Sequence, residues 1–376
     1  MTYPISEPHA DIVRLRELAD SRPSAIALRH KQQGAWYFWR WLDVADEVRD
    51  LAQGLQALGF AAGDGLAVSG DIGPHLLLIG LAARHLGGRL IAVPPDADGR
   101  EIAATLRTHG IRHAFTQGRQ NLTAWLQASA EAGIDLRVIF DHATADGKTP
   151  ESGAITFDAL RGPGGAAERL EPSAEENVAR RHITSRRGDN VASGLFWVEE
   201  NTRWQSGLDV LLRQWLNDAL TLAFPESLAA AARDRRQVEP RRLLVSVDRL
   251  DSLYEDILHR LPPDATRLRR LIDRSIHSGG AFRGRWHDRV IAWLVRRPLG
   301  LRRLREIAVF AASPGKAAEV SAPVRKLFAG LAVFLAPQIG AERISAAESG
   351  ITERLDLPAE IRAPSAATGL TALANG

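Results

Sequence analysis

Apolar residues recur at two different spacings along the first part of the chain. In "WLDVADEVRDLAQGLQALGF" they recur every three or four positions from Leu42 to Leu58, and Gly59 follows where a helix would end. Short apolar runs such as "GLAVS" and "RVIF" come between segments of this kind. Strands that alternate with helices at this rhythm predict a parallel sheet covered by helices.

The run "AWYFWRW" is the most aromatic stretch of the chain. Because side chains alternate along a strand, its residues would divide between two faces. The two faces would carry Trp36, Phe38 and Arg40, and Tyr37, Trp39 and Trp41. The pattern predicts a strand buried on both sides, with a ligand-binding face as the alternative.

Between residues 142 and 176 the chain is rich in Gly, Pro, Ala and Ser, which predicts a surface linker. A second alternation of helices and strands begins at Val191. A length of 376 residues is more than one ordinary core requires, so two subdomains are expected. The predicted division is a first α/β subdomain at 1–165, a linker at 166–190, a second α/β subdomain at 191–357 and a poorly ordered tail at 358–376.

Composition excludes several classes of site. The chain has no cysteine, so it has no disulfide, thiolate metal site or cysteine nucleophile. Its eleven histidines are scattered along the chain, and we predict no metal site. No apolar run reaches the roughly 18 residues of a membrane span, and the N-terminus does not resemble a signal peptide. These features predict a cytoplasmic protein.

The formal net charge is only +3, but arginines concentrate between Arg267 and Arg305. One interpretation is the solvent face of amphipathic helices. The other is a basic surface that contacts an anionic membrane or an acidic partner; nucleic acid is the partner we favour least. The candidate contact residues are Arg296, Arg297, Arg302, Arg303 and Arg305.

The segment "HITSRRGD", residues 182–189, contains the ingredients of an anion-binding turn. Its candidate contacts are Thr184, Ser185, Arg186 and Arg187. A second stretch, Gly147–Thr149, lacks the upstream glycine and the following helix of a phosphate-binding P-loop, and it predicts a solvated turn. Neither a G-x-S-x-G elbow nor a G-x-G-x-x-G loop follows the first strands, and we assign no catalytic residue.

The order of elements, with the segments "ALRHK", "LGG", "AVPP" and "FPES", resembles long-chain acyl-CoA synthetases of the AMP-forming, adenylate-forming superfamily. The resemblance spans most of residues 20–350. It implies an α/β fold like the large N-terminal domain of these enzymes, with two α/β subdomains and mainly parallel sheets, and without the C-terminal lid domain.

The departures from the family pattern point to lost chemistry. The family holds ATP phosphates with a loop of the form Y-T-S-G-T-T-G-x-P-K-G, whereas this chain has "RRHITSRRGDNV". Residues 339–343, "IGAER", stand where the family has Y-G-x-T-E. Lysine occurs only at Lys31, Lys148, Lys316 and Lys326, and none lies in the context of the family's catalytic lysine. The phosphate loop is therefore interpreted as a remnant.

The predicted function is that of a degenerate acyl-CoA-synthetase-like protein without adenylation activity. It would bind an acyl or aryl acid, or act as a scaffold or regulatory partner, with a protein partner or a second copy of itself. The residues predicted to line the acyl side are Phe196, Trp197, Glu200 and Trp204, with helix–sheet packing as the alternative. We expect no cofactor.

The alternative function is an active AMP-forming long-chain fatty acid–CoA ligase, acting alone or with a partner subunit. It would require ATP, Mg²⁺ and CoA. Residues 184–187 would then supply the phosphate contacts. They would have to replace the family's phosphate loop, because positioning of the phosphates and stabilisation of their charge provide nearly all of the catalysis in such reactions.

Overall fold

The structure, a computed structural model, describes residues 8–141, 153–161, 195–205, 207–263, 266–267, 269–270, 273, 295–310, 318–331 and 333–338. These residues form two sheets with helices between and outside them.

The first part of the chain builds a five-stranded sheet. Its strands are β3 (Gly65–Ser69), β4 (Arg89–Ala92), β5 (His113–Gln117), β6 (Arg137–Asp141) and β7 (Ala154–Thr156). They lie in the order β4-β3-β5-β6-β7, and all neighbours are parallel. The helices of this part are α1 (Pro8–Ser21), α2 (Trp41–Ala57), α3 (Pro74–His85), α4 (Gly99–His109), α5 (Arg119–Ala132) and α6 (Phe157–Arg161).

A seven-stranded sheet contains the remaining described strands. They are β1 (Ile26–Gln32), β2 (Ala35–Arg40), β8 (Leu195–Val198), β9 (Thr221–Phe224), β10 (Arg242–Ser246), β11 (Glu306–Phe310) and β12 (Phe334–Gln338). Their order is β12-β11-β10-β8-β9-β1-β2, and only the β1–β2 pair is antiparallel. The helices that follow β8 are α7 (Gly207–Asn217), α8 (Ala231–Val238), α9 (Val247–Arg260) and α10 (Ala322–Gly330).

Strand alternation divides the apolar residues among three cores. On β8, Phe196 and Val198 face a central core between the two sheets, while Leu195 and Trp197 face an outer core with α9 and α10. On β3, Ala67 faces a third core that includes α4 and α5. The central core also holds α2, α3 and α7, so the two sheets share one helical layer.

The aromatic run divides as its alternation predicts. Trp36 lies in the outer core and Phe38 packs against it, whereas Trp39 and Trp41 lie in the central core and Tyr37 packs against that core. The prediction of a strand buried on both sides is confirmed. The sequence predicts that this run belongs to the first subdomain, but β1 pairs with β9, so the hairpin is the edge of the seven-stranded sheet.

Part of the predicted linker at 142–176 is regular structure, so that prediction is wrong for residues 154–161. They form β7, which pairs with β6, and the short helix α6. Phe157 and Leu160 are buried in the central core. Those two apolar side chains anchor a segment whose flanks have a linker-like composition.

Within the described parts of the chain, no helix is both long enough and apolar enough to cross a membrane.

Candidate functional site

A cleft of about 170 Å³ lies where the carboxyl ends of strands from both sheets meet. Polar side chains reach it from the ends of β5 and β6, from the loop after β3, from β1 and from the loop after β9. In open parallel sheets, ligands bind at this edge and at the point where the strand order reverses. The lining residues are His30, Asp71, Ile72, Gly73, Pro74, His75, Gln117, Asp141, Pro225, Glu226, Ser227 and Leu228.

The reversal point of the five-stranded sheet lies between β3 and β5, because β4 is on one side of β3 and β5 on the other. Gln117, the last residue of β5, bonds twice to the backbone of Asp71: its Oε1 accepts from the N–H at 2.7 Å and its Nε2 donates to the carbonyl at 2.9 Å. Gly70 permits this approach, since a Cβ there would lie 2.5 Å from Gln117 Oε1 and its φ is +141°. These bonds fix the backbone of Asp71 beside the cleft.

Burial raises the pKa of the Asp71 carboxyl. A hydrogen bond from the Leu228 N–H, at 3.4 Å, and the charge of Arg249 oppose that rise. The bond is long, so the side chain remains available to another donor.

A histidine–carboxylate pair forms the second polar wall. His75, in the first turn of α3, has its Nδ1 2.8 Å from Oδ1 of Asp141, the last residue of β6. The ring stacks on Phe157 with centroids 4.4 Å apart. Burial alone would raise the pKa of Asp141, but His75, His30 and Arg161 outweigh it and hold that pKa below its usual range. Asp141 is therefore an anion at neutral pH.

His30, on β1, lines the cleft and is largely desolvated. Burial, reinforced by the charge of His75, lowers its pKa to about 4, although a hydrogen bond to the Pro225 backbone and nearby carboxylates act in the other direction. The ring is therefore neutral at pH 7. Its Nδ1 is buried and has no hydrogen-bond partner among the described residues.

Glu226 completes the acidic lining, but its carboxylate is occupied. It accepts from the Gly34 N–H at 3.2 Å and pairs with Arg233. The residues that line the cleft thus include three carboxylates and two histidines, and none of them is lysine or arginine. Four of the other lining residues are apolar: Ile72, Pro74, Pro225 and Leu228.

The carboxyl end of β8 is built differently, because its polar groups are buried and mutually paired. Glu199 is fully buried, accepts from Trp197 Nε1 at 2.9 Å and pairs with Arg235. Glu200 accepts from both the N–H and the hydroxyl of Ser246. Burial raises the pKa of Glu200 to about 8, so its carboxyl is largely protonated at neutral pH.

The same segment connects the two sheets. The Ile72 N–H donates to the Glu200 carbonyl at 2.8 Å, and the Thr202 N–H donates to the Gly70 carbonyl at 2.9 Å. The Thr202 hydroxyl accepts from the Gly70 N–H and donates to the Val93 carbonyl. We call residues 199–202 with Ser246 and Arg235 the β8 knot. It holds the loop after β3, and therefore Asp71, against the second sheet.

The four residues predicted to line an acyl pocket lie in and around the knot. Phe196 is in the central core and Trp197 is in the outer core. Trp204 packs in the central core, and its ring centroid is 5.7 Å from that of Phe310. Glu200 bonds to Ser246. None of the four lines the acidic cleft, and their role toward an acyl group stays a prediction.

The predicted basic surface divides into two kinds of arginine. Arg296 is partly buried, donates to the Leu301, Leu304 and Leu331 carbonyls, and has a pKa lowered by burial. Arg302 and Arg303 are half exposed and share Glu239 at 3.5 and 2.9 Å. Arg297 and Arg305 are exposed. Arg296 thus stabilises the loop before β11 through its carbonyl contacts, while the other four arginines remain candidates for contact with a partner.

The candidate anion contacts Thr184, Ser185, Arg186 and Arg187 lie outside the described residues, as do residues 339–343. Within the described parts of the chain, no group of three or more histidines and carboxylates is arranged to hold a metal ion.

Sequence reasoning missed every polar residue of the cleft. Asp71, Gln117 and Asp141 each stand at or just after the end of a predicted strand, and that position was the available signal. His30 gave no such signal, because β1 joins the site only through its pairing with β9.

The family model described as AMP-binding enzyme matches residues 15–182. The chain has the adenylate-forming fold. This confirms the predicted resemblance and the predicted fold class of two mainly parallel α/β sheets. A comparison with curated proteins finds no significant match.

Three solved structures illustrate the likeness. The luciferase-like enzyme of the nonluminescent mealworm Zophobas morio has 14% identity, coverage of 88% of this chain and 71% of that chain, and a TM-score of 0.55. Acetoacetyl-CoA synthetase from Streptomyces lividans has 14% identity and a TM-score of 0.55, and the match covers 86% of this chain and 50% of the synthetase. Brucella canis acyl-CoA synthetase has 16% identity, coverage of 86% and 56%, and a TM-score of 0.55. The chain thus spans about half the length of the two synthetases, and identities this low establish the fold alone.

Proposed function

We propose that this chain carries the adenylate-forming fold without adenylation activity and acts as a scaffold or regulatory partner. The observation that carries the proposal is the lining of the cleft at the carboxyl ends of the strands. It presents Asp71, Asp141 and Glu226 and neither lysine nor arginine. Nucleotide phosphates need backbone amides or cations, and carboxylates repel them.

The sequence supports the same conclusion. Residues 182–189 contain one glycine and no lysine, whereas the family's phosphate loop has three glycines and a lysine. Of the four lysines, Lys31 is buried in an ion pair with Asp234 at 2.8 Å, and Lys326 is exposed on α10. Neither is placed to contact a ligand in the cleft.

The β8 knot favours the partner role over an acyl-binding role for Phe196, Trp197, Glu200 and Trp204. Three of them contribute their side chains to the cores, and the fourth is occupied by Ser246. A pocket on the acyl side would require these side chains to leave well-packed positions, which is costly in a protein interior. The exposed arginines Arg302, Arg303 and Arg305 are candidates for the partner contact.

Calorimetric titration with ATP–Mg²⁺, alone and with a panel of acyl and aryl acids, tests the proposal. We expect no binding at micromolar nucleotide and no exchange of pyrophosphate into ATP. The control is the double variant Arg186→Ala/Arg187→Ala, which should behave like the wild type. Micromolar ATP binding that this variant loses would instead establish the ligase, with ATP, Mg²⁺ and CoA as its reactants.

A further inference from the structure

We propose that the acidic cleft is a binding site for a small primary alkylammonium ion. The proposal goes beyond the scaffold role and does not depend on it, since the cleft could take such a ligand whether or not the chain adenylates an acid.

The carboxylates of the cleft have more hydrogen-bond acceptors than the described residues supply donors for. Asp141 uses Oδ1 for His75, and among the described residues its Oδ2 accepts no hydrogen bond. Asp71 accepts only a long hydrogen bond at 3.4 Å there. Glu226 is occupied by Gly34 and Arg233. Two carboxylates therefore have acceptor capacity to spare, and each carboxylate oxygen can take more than one donor.

His30 points independently to a donor ligand. Burial holds its pKa at about 4, so at neutral pH the ring is uncharged and one nitrogen is an acceptor. Its Nδ1 is buried and has no partner among the described residues. An unpaired buried polar atom is costly, and a ligand N–H would remove that cost.

The number of donors and the charge identify the ligand class. A primary ammonium carries three N–H donors, one for each of the acceptors on Asp71, Asp141 and His30, and its positive charge offsets part of the negative charge of the carboxylates. An anion would be repelled by Asp71 and Asp141, and a neutral alcohol would leave their charge uncompensated. Charge-assisted hydrogen bonds are also stronger than neutral ones.

The apolar residues of the cleft determine the rest of the ligand. Ile72, Pro74, Pro225 and Leu228 line the cleft beside the acidic groups, and they can pack against a short alkyl chain. A volume of about 170 Å³ restricts that chain to a few carbons.

The experiment compares three probes of similar size at pH 7: butylammonium, 1-pentanol and butyrate. Binding is followed by calorimetry and by the rise in unfolding temperature that a bound ligand produces. We expect butylammonium to bind with a dissociation constant below about 1 mM, which five heavy atoms can supply. The alcohol should bind at least about tenfold more weakly, and butyrate should not bind.

Two variants locate the site. Asp141→Asn should weaken butylammonium binding at least about tenfold by removing one charged acceptor. Asp71→Asn should do the same without disturbing the His75–Asp141 pair, so the test survives if the first variant is unstable. The matched control is Asp135→Asn, just before the opposite end of β6, where the side chain is 81% exposed. It should bind like the wild type.

Three results with the organic probes would overturn the proposal. They are the absence of butylammonium binding, equal binding of 1-pentanol, and binding that both Asp141→Asn and Asp71→Asn leave unchanged. Stabilisation by Mg²⁺ alone that competes with butylammonium would also overturn it, because the site would then be a metal site. None of these results bears on ATP binding, so the scaffold proposal is tested separately.

Discussion

The acidic cleft and the β8 knot occupy the same kind of position, the carboxyl ends of parallel strands, but they use their carboxylates in opposite ways. In the knot, Glu199 and Glu200 are buried and bonded to Arg235 and Ser246. In the cleft, Asp141 keeps one oxygen free and the Nδ1 of His30 has no partner in the described part of the chain. A paired buried carboxylate holds the fold together, whereas an acceptor left open beside a cavity is available to a ligand.

The largest effect should come from breaking the ion pair of the knot. Arg235 and Glu199 are 1% and 0% exposed, so Arg235→Ala would leave a buried carboxylate without its main partner. We expect the free energy of unfolding to fall by about 3–5 kcal/mol in urea denaturation. The control is Arg49→Ala on α2, an exposed pair with Asp46 that should cost less than about 1 kcal/mol. Equal losses in the two variants would remove the distinction between knot and surface.

The pH dependence of Glu200 provides a second test of the difference between the β8 knot and the acidic cleft. Because its pKa is raised from 4.5 to about 8, the folded state holds the proton more tightly than the unfolded chain does. Its contribution to stability is complete below about pH 4.5 and is lost as the pH rises toward 8.

Glu200→Gln keeps the shape of the protonated carboxyl and cannot ionise. We expect it to exceed the wild type in stability by roughly 2–4 kcal/mol at pH 8 and to equal it near pH 4.5. Denaturant unfolding at the two pH values measures the difference. A Gln variant that is less stable than the wild type at pH 8 would mean that Glu200 is needed as an anion.

His30 should produce the opposite slope. Its pKa falls from 6.5 to about 4, so the unfolded chain takes up a proton before the folded state does. The contribution of the neutral His30 ring to stability is complete above pH 6.5. It is lost as the pH falls toward 4, which lowers the free energy of unfolding by roughly 2–3 kcal/mol.

His30→Gln should remove the dependence of the unfolding free energy on pH that His30 causes, and it should keep the dependence that Glu200 causes. The difference between wild-type and variant unfolding free energies, measured from pH 4 to pH 8, isolates each group. If the difference curve is flat between pH 4 and 6.5, His30 is not a desolvated neutral ring.

The smallest effect should come from the exposed arginines. Arg302 and Arg303 are about half exposed and share Glu239. Arg302→Gln with Arg303→Gln should change the free energy of unfolding by less than about 1 kcal/mol, because exposed ion pairs contribute little. The same double variant should weaken any salt-sensitive binding to an acidic partner or anionic vesicles. A loss of several kcal/mol in urea denaturation would show that these residues stabilise the fold instead.

The sequence predicted the elements better than the site. The alternation of "AWYFWRW" assigned Trp36 and Trp39 to different cores correctly, and Gly59 was correctly placed at the end of α2. Linker-like composition concealed β7 and α6, because few apolar side chains anchor them: Phe157 and Leu160 in the central core and Ala154 in the third core. Three of the four residues predicted to line an acyl pocket are aromatic and lie in or near β8, features that buried packing shares with a binding site.

Local periodicity determined which segments are helices and strands and which side chains are buried, because these depend on the spacing of neighbouring residues. The pairing of β1 with β9, nearly two hundred residues later, depends on the tertiary structure, and it brings His30 into the same cleft as Asp71 and Asp141. The tertiary structure also decides that Glu200 faces Ser246 in the buried interior, whereas Asp141 faces a cleft. A spacing rule shows that a face is buried but not what lies against it, and the partner determines whether a carboxylate is structural or free to bind.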